Sequence, residues 1–298
     1  MKLMILALLT LMPAMGFEWQ SVNYQEVKYL PLEQVAEFYG MDDDGEGSLS
    51  SATLKLKFKS GESQAILSGV PCNLIHPIAL IDQKRYLAEV DLTHLLDPIL
   101  RPAKIKLPGP ITTIVLDPAF SGEGGDIKID DQEKTDPLLD LALKIRETLE
   151  QSGLQLVMTR EEQRALPIAD SIKIANGVEN VLFMRLQLLE PATKGGYQVL
   201  SLHGPDSNAN PELKKASMSV ACAAHWRYLA RRTQSRLKEL PDLGFGFASG
   251  TDYHALTCPA IEVRVSQFTL SEDGELLAKA LKESVIMAIK AMTGKSGQ

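Results

Sequence analysis

From residue 111 to residue 292 the chain alternates short apolar runs with stretches of helical periodicity, and that alternation admits very few folds. A β-branched run at 111–115 opens it and leads into Leu116-Asp117-Pro118-Ala119-Phe120-Ser121-Gly122, an acidic turn before a glycine-rich loop. Residues 135–145 repeat apolar side chains at helical spacing and stop before Ser152-Gly153. Residues 154–160 and 181–189 read as buried strands, 213–237 as a helix, 261–265 as another strand, and 272–292 as a closing amphipathic helix. The order predicts an α/β domain, a mostly parallel sheet with helices on both faces. Sheets of that kind assemble their sites beyond the carboxyl ends of the strands. Asp117 and the polar residues at the other strand ends are therefore the first candidates.

Residues two apart on a strand share a face, so Glu262 pairs with Arg264 and Arg185 with Gln187. The plain reading of Glu262 and Arg264 is a salt bridge at a strand end. The sharper one is a polar pair lining a cleft that binds a ligand carboxylate. Arg185, Gln187, Arg264 and Lys134 together would make that cleft basic in a chain of formal net charge −7, and such a cleft concentrates anions. The acidic balance argues against a nucleic-acid partner.

The first sixteen residues have the pattern of a secretory signal: Met1-Lys2, an apolar run at 3–12, and the small residues of Ala14-Met15-Gly16. The apolar run is too short to span a bilayer, and no other stretch approaches the roughly 20 residues a span needs. An exported protein with no membrane span after cleavage is the expectation. Cys72, Cys222 and Cys258 are too few and scattered for a disulfide framework, which leaves a Cys222–Cys258 bridge open.

Residues 17–102 are expected to form a small α+β module of their own, with 103–110 as a proline-rich linker to a domain at 111–298. Residues 29–40 read as a strand end, a short helix and a glycine stop. Residues 52–59 alternate strictly and turn back through 60–63 into 64–67, a hairpin. A short helix is expected at 91–96. The acidic loop at 42–47 has carboxylates at suggestive spacing, but it lacks the terminal Glu of a calcium loop and reads as a solvated turn. This half resembles the N-terminal domain of copper amine oxidases, which implies a binding or spacing role here and no copper chemistry.

The strand at 111–115 with Asp117-Pro118 resembles the opening of the zinc-dependent N-acetylmuramoyl-L-alanine amidases, which cut peptidoglycan. The likeness runs over about 111–292. It takes in Thr159-Arg160, a short helix at 167–176 closing on Ala175-Asn176, and a strand at 196–202. It implies three zinc ligands and a catalytic Glu, and at those positions this chain has other residues. Phe120 stands at the first ligand, Lys134 at the second with Glu133 one residue away, Gln187 at the third, and Arg264 at the base. A catalytic zinc needs three N, O or S ligands, an open position for water, and a carboxylate to take the proton. The resemblance therefore implies an inactive relative without zinc. Its candidate cleft is Asp117, Arg185, Gln187, Glu262 and Arg264, and its partner is peptidoglycan, a stem peptide or a cell-wall protein, met in a bacterial periplasm or outside the cell.

The alternative is an active amidase with rearranged zinc ligands. His203, in Ser201-Leu202-His203, would be one, although 196–202 fits better the strand that follows the family's histidine turn. His254 would be another, in a segment where the family places a strand. His225 beside Trp226 reads as an ordinary helix histidine, and His76 and His94 belong to the N-terminal half.

Overall fold

The computed structural model describes residues 17–120, 136–150, 152–189, 196–232, 242–249 and 252–293. The proposed signal at 1–16, Glu133 and Lys134 lie outside them. The N-terminal half runs β1 (Val22–Tyr24), β2 (Val27–Pro31), α1 (Leu32–Tyr39), β3 (Asp42–Asp43), β4 (Ser48–Ser50), β5 (Lys55–Phe58), β6 (Gln64–Leu67), β7 (Val70–Asn73), β8 (Ala79–Ile81) and β9 (Lys84–Ala88). Helical turns α2 (Glu89–Asp91), a π-helical Leu92–Leu96 and α3 (Asp97–Leu100) follow. The C-terminal half runs β10 (Thr113–Pro118), α4 (Pro137–Glu150), β11 (Gln155–Met158), α5 (Ile168–Asn176), β12 (Val181–Leu188), β13 (Tyr197–Ser201), α6 (Pro211–Arg232), β14 (Asp242–Phe247), β15 (Ala260–Val265) and α7 (Gln267–Met292).

The fold is α/β, as expected, but the sheet is mixed. Strands β11, β10, β12 and β15 are parallel neighbours, and β13 then pairs antiparallel with β15. β14 joins β13 in parallel and β7 joins β14 in parallel, after which β6, β5, β4 and β3 add on antiparallel. The antiparallel part comes from hairpins such as Leu56↔Leu67, which need only tight turns, whereas each parallel neighbour needs a crossover. Residues 103–110 thus do not divide the sheet, which runs continuously through both halves over eleven strands. A second sheet, β1-β2-β9-β8, belongs to the N-terminal half. Strand β14 lies ahead of the segment around His254 where the resemblance implies a strand, and residues 252–255 form turns instead.

Period-two alternation sorts the central strands into two faces. Ile114, Leu116, Leu182, Met184, Leu186, Ile261, Val263 and Val265 point to one side and are buried beneath α4, α6 and α7. Val115, Phe183 and Ala260 point to the other, against Ile172 and Ala175 of α5 and Leu256. Helix α6 serves two cores. Ala216, Val220 and Ala224 enter the first cluster, while Met218 and Cys222 enter the N-terminal core beside Cys72 and Phe245. Cys222 and Cys258 sit in different clusters, and all three cysteines are buried thiols. Among the described residues no helix is long and apolar enough to cross a membrane.

In the acidic loop, Asp44 Oδ1 accepts from the Glu46 and Ser48 amides (2.8 Å each) and Asp43 Oδ1 from Gly45 (2.9 Å), so these carboxylates cap their own turn. Asp91 is the buried counterpart. It is fully buried and accepts from the backbone N–H of Ile75 (2.7 Å) and of His76 (3.0 Å), tying the loop after β7 to α2. Burial pushes its pKa from 3.8 up to about 6, against the opposing pull of those two N–H donors. The folded state then holds the Asp91 proton more tightly than the unfolded chain does. Its contribution to stability is therefore greatest below about pH 4, falls as pH rises towards 6, and is flat above. Urea midpoints of wild type measured against Asp91→Asn should diverge across that window; parallel curves would show that Asp91 does not titrate there.

Candidate functional site

The carboxyl ends of β10, β12 and β15 carry the candidate residues in two rows across the sheet. Asp117 is in register with Arg185 and Arg185 with Glu262, which makes the inner row. Gln187 is in register with Arg264, and Arg264 with Gln198 of β13, which makes the outer row. By the same alternation all six lie on the face that starts with Val115, Phe183 and Ala260, so one face passes from apolar to charged within two residues.

Asp117 lies inside β10, because the strand runs on to Pro118 and does not end before the acidic residue. Asp117 is buried, and its carboxylate accepts from Thr159 Oγ1 (2.6 Å), Ser171 Oγ (2.8 Å) and Arg185 Nη1 (2.5 Å). Arg185 also brings Nε within 3.9 Å of Glu262 Oε2 and donates to Gln187 Oε1 at 3.5 Å. Burial alone would lower the Arg185 pKa, but Asp117, Tyr253 and Glu262 outweigh it and hold the guanidinium above the ordinary arginine range. Glu262 has no exposed surface; it accepts from Tyr253 Oη at 2.8 Å and from Arg264 Nε. Burial, then the Glu262 charge, pushes the Tyr253 phenol well up, so it remains a donor. The plain reading of Glu262 and Arg264 is what the geometry gives, with Arg185 and Asp117 added to it.

The expected basic cleft is corrected by this pairing. Two carboxylates and two guanidinia alternate across the strands and neutralise one another, and Lys134 lies outside the described residues. Phe120 follows the strand end, where the Ala119 N–H donates to Leu186 O (2.9 Å). The centroid of its ring is 5.7 Å from the Arg160 guanidinium, close enough for a cation–π contact. Arg160 holds the end of β10: Nε donates to Pro118 O (2.7 Å), Nη2 to Ala119 O (3.0 Å), and Nη2 also pairs with Asp136. Asp136 in turn accepts from the Leu138 N–H (3.0 Å) in the first turn of α4. Thr159, Ser171, Tyr253, Asp136 and Gln198 were absent from the candidate set. Asp136 just before Pro137 is the only one with a local signal, a helix start.

Zinc does not fit these residues. A phenyl ring offers no lone pair, the guanidinia of Arg185 and Arg264 repel a cation, and the lone pairs of Asp117 and Glu262 already receive N–H and O–H donors. Among the described residues, no three His, Cys, Asp or Glu side chains converge in a way that could hold a metal. The rescue histidines are elsewhere. Ser201 is in register with Ile261, three residues or ~10 Å before Arg264, and His203 lies two residues further out at the amino end of the parallel strands. His203 is fully buried with Nε2 2.7 Å from Cys258 O, which makes Nε2 the donor, and burial pushes its pKa down. His254 is in the turn at 252–255. His225 Nε2 is 2.7 Å from Asp242 Oδ1, with its ring 5.2 Å from Tyr197, a packed core histidine. His94 is part-buried, 3.3 Å from Val90 O through Nδ1, in the N-terminal half.

No protein-family profile and no curated protein matches the sequence. Solved structures do. The chain is similar to an N-acetylmuramoyl-L-alanine amidase of Nostoc punctiforme at 17% identity, over 59% of this chain and 96% of that one, with a TM-score of 0.46. It is similar to an N-acetylmuramoyl-L-alanine amidase of Clostridium difficile at 15% identity, over 60% and 97%, with a TM-score of 0.48. A third similar structure is an N-acetylmuramyl-L-alanine amidase of Mycobacterium smegmatis, at 16% identity over 61% and 99%, with a TM-score of 0.47. At these identities the likeness assigns no activity.

Proposed function

We propose that this chain is an exported, non-hydrolytic protein of amidase-like architecture that binds peptidoglycan, a stem peptide or a cell-wall protein. The observation that carries this reading is the state of the two carboxylates at the carboxyl pole: Asp117 is held by Arg185, and Glu262 by Arg264 and Tyr253. Hydrolysis of an amide by an activated water needs a carboxylate with a free lone pair or a metal with an open position. A carboxylate already accepting from a guanidinium and a phenol is a poor base. The same pole still presents polar side chains at its rim, which suits binding. In this reading residues 1–16 are removed on export, and residues 17–102 contribute binding or spacing.

The purified protein should contain no stoichiometric zinc and should release no stem peptides from peptidoglycan when zinc is added. It should nevertheless sediment with insoluble sacculi. One zinc per chain, with peptide release abolished by a chelator, would establish the active alternative instead and would require ligands from outside the described residues. A chain that neither cleaves nor sediments would rule out the intact sacculus as its ligand.

A further inference from the structure

The outer row at the carboxyl pole has the composition of a carboxylate receptor. Arg264 stands between Gln187 on one neighbouring strand and Gln198 on the other, in register and on one face. Its Nε is held by Glu262, yet 30% of its side-chain surface is exposed against 1% for Glu262. Both Nη groups lack a hydrogen-bond partner among the described residues. Gln187 is oriented from beneath, since Arg185 Nε donates to its Oε1 at 3.5 Å, and its Nε2 donors are left over. Gln198 directs Nε2 to Leu243 O at 3.5 Å, which leaves its Oε1 as an acceptor.

We propose that this row binds the C-terminal end of an acylated amino acid or peptide, a step that rests on the pole binding its ligand without cleaving it. The free carboxylate lies against the two Nη groups of Arg264, the fork geometry that guanidinium favours. Gln187 Nε2 donates a further bond to it. Gln198 Oε1 accepts the N–H of the terminal residue, so the ligand must carry both groups. The inner row is the support. Glu262 keeps the Arg264 fork from rotating, and Arg185 offsets the Glu262 charge that would otherwise repel an incoming anion.

The test uses the full chain with N-acetyl-alanyl-alanine and with its C-terminal amide as probes, titrated by ligand-observed NMR. The free acid should bind saturably and the amide about tenfold more weakly or worse, because the amide lacks the charge that meets Arg264. Arg264→Gln should abolish the difference between acid and amide. Since that change also releases Glu262, Gln187→Glu serves as a second variant: it is isosteric, keeps the Arg264–Glu262 pair, and sets an anion in place of the donor beside the bound carboxylate. It too should abolish binding of the acid. Equal binding of acid and amide, no binding of either, or unchanged binding in a folded variant would overturn the inference. Sacculus sedimentation run in parallel separates the two levels. A chain that sediments but ignores the dipeptide loses only this row, whereas one that digests the sacculi loses the binding reading itself.

Discussion

Replacing Arg185 with methionine is expected to cost the folded protein about 3–5 kcal/mol, the range seen when one member of a buried ion pair is removed. Few single changes in this chain should do more. Arg185 is 7% exposed and lies between Asp117 and Glu262, whose side chains are 3% and 1% exposed. Without the guanidinium both carboxylates remain in a site that water barely reaches. The hydroxyls of Thr159 and Ser171 still donate to Asp117 but supply no compensating charge, whereas Glu262 keeps the Arg264 guanidinium besides Tyr253, so the loss falls mainly on Asp117. Methionine fills the volume of the arginine stem, so the loss reports charge and not a cavity. Urea unfolding of the single variant measures it. The double variant Asp117→Asn, Arg185→Met should regain part of the loss, since removing both partners is far less damaging than removing one. A loss below about 1 kcal/mol in the single variant would mean that water screens the pair as it does at a surface.

That network shows where a sequence can be read and where it cannot. Alternation and helical periodicity locate β12, β15 and the middle of α4 within a residue or two, because each is a local pattern. Helix α7 begins earlier than its apolar periodicity implies, since Ser266 caps it by accepting from the Thr269 N–H (3.1 Å). The pairs within one strand, Arg185 with Gln187 and Glu262 with Arg264, follow from strand geometry alone. Asp117 with Arg185 does not, because their meeting depends on the register of two strands 68 residues apart in sequence. Counting the cations at the strand ends without the carboxylates across from them therefore gave a basic cleft, where register makes a neutral one. Strand β14 is hidden for a related reason: it lies between β13 and β7, the latter some 170 residues away, and only its glycines mark it locally.

Those glycines make Gly244→Ala the second change with a large expected effect, a loss of roughly 3 kcal/mol or more. Gly244 has φ +73°, which a side chain tolerates poorly. A Cβ there would come within 2.3 Å of Pro71 O and 2.8 Å of Pro71 C. Both are backbone atoms of β7, so no side-chain rotation relieves the clash and one strand must retreat. The retreat falls on the seam of the sheet. Phe245 is in register with Cys72, is fully buried in the N-terminal core, and is flanked by the Asn73 Nδ2 bond to Leu243 O (3.2 Å). Gly69→Ala is the matched control. Its φ is +93° but nothing lies within 4 Å of the added carbon, so it should show the backbone strain alone, about 1–2 kcal/mol. Thermal and urea unfolding of the two variants, followed by circular dichroism and by tryptophan emission, gives the comparison. The excess loss in Gly244→Ala over Gly69→Ala is the clash at the seam. Equal losses would mean that β14 can slide away from β7 freely, and that the two halves are joined by the cores around α6 rather than by the sheet.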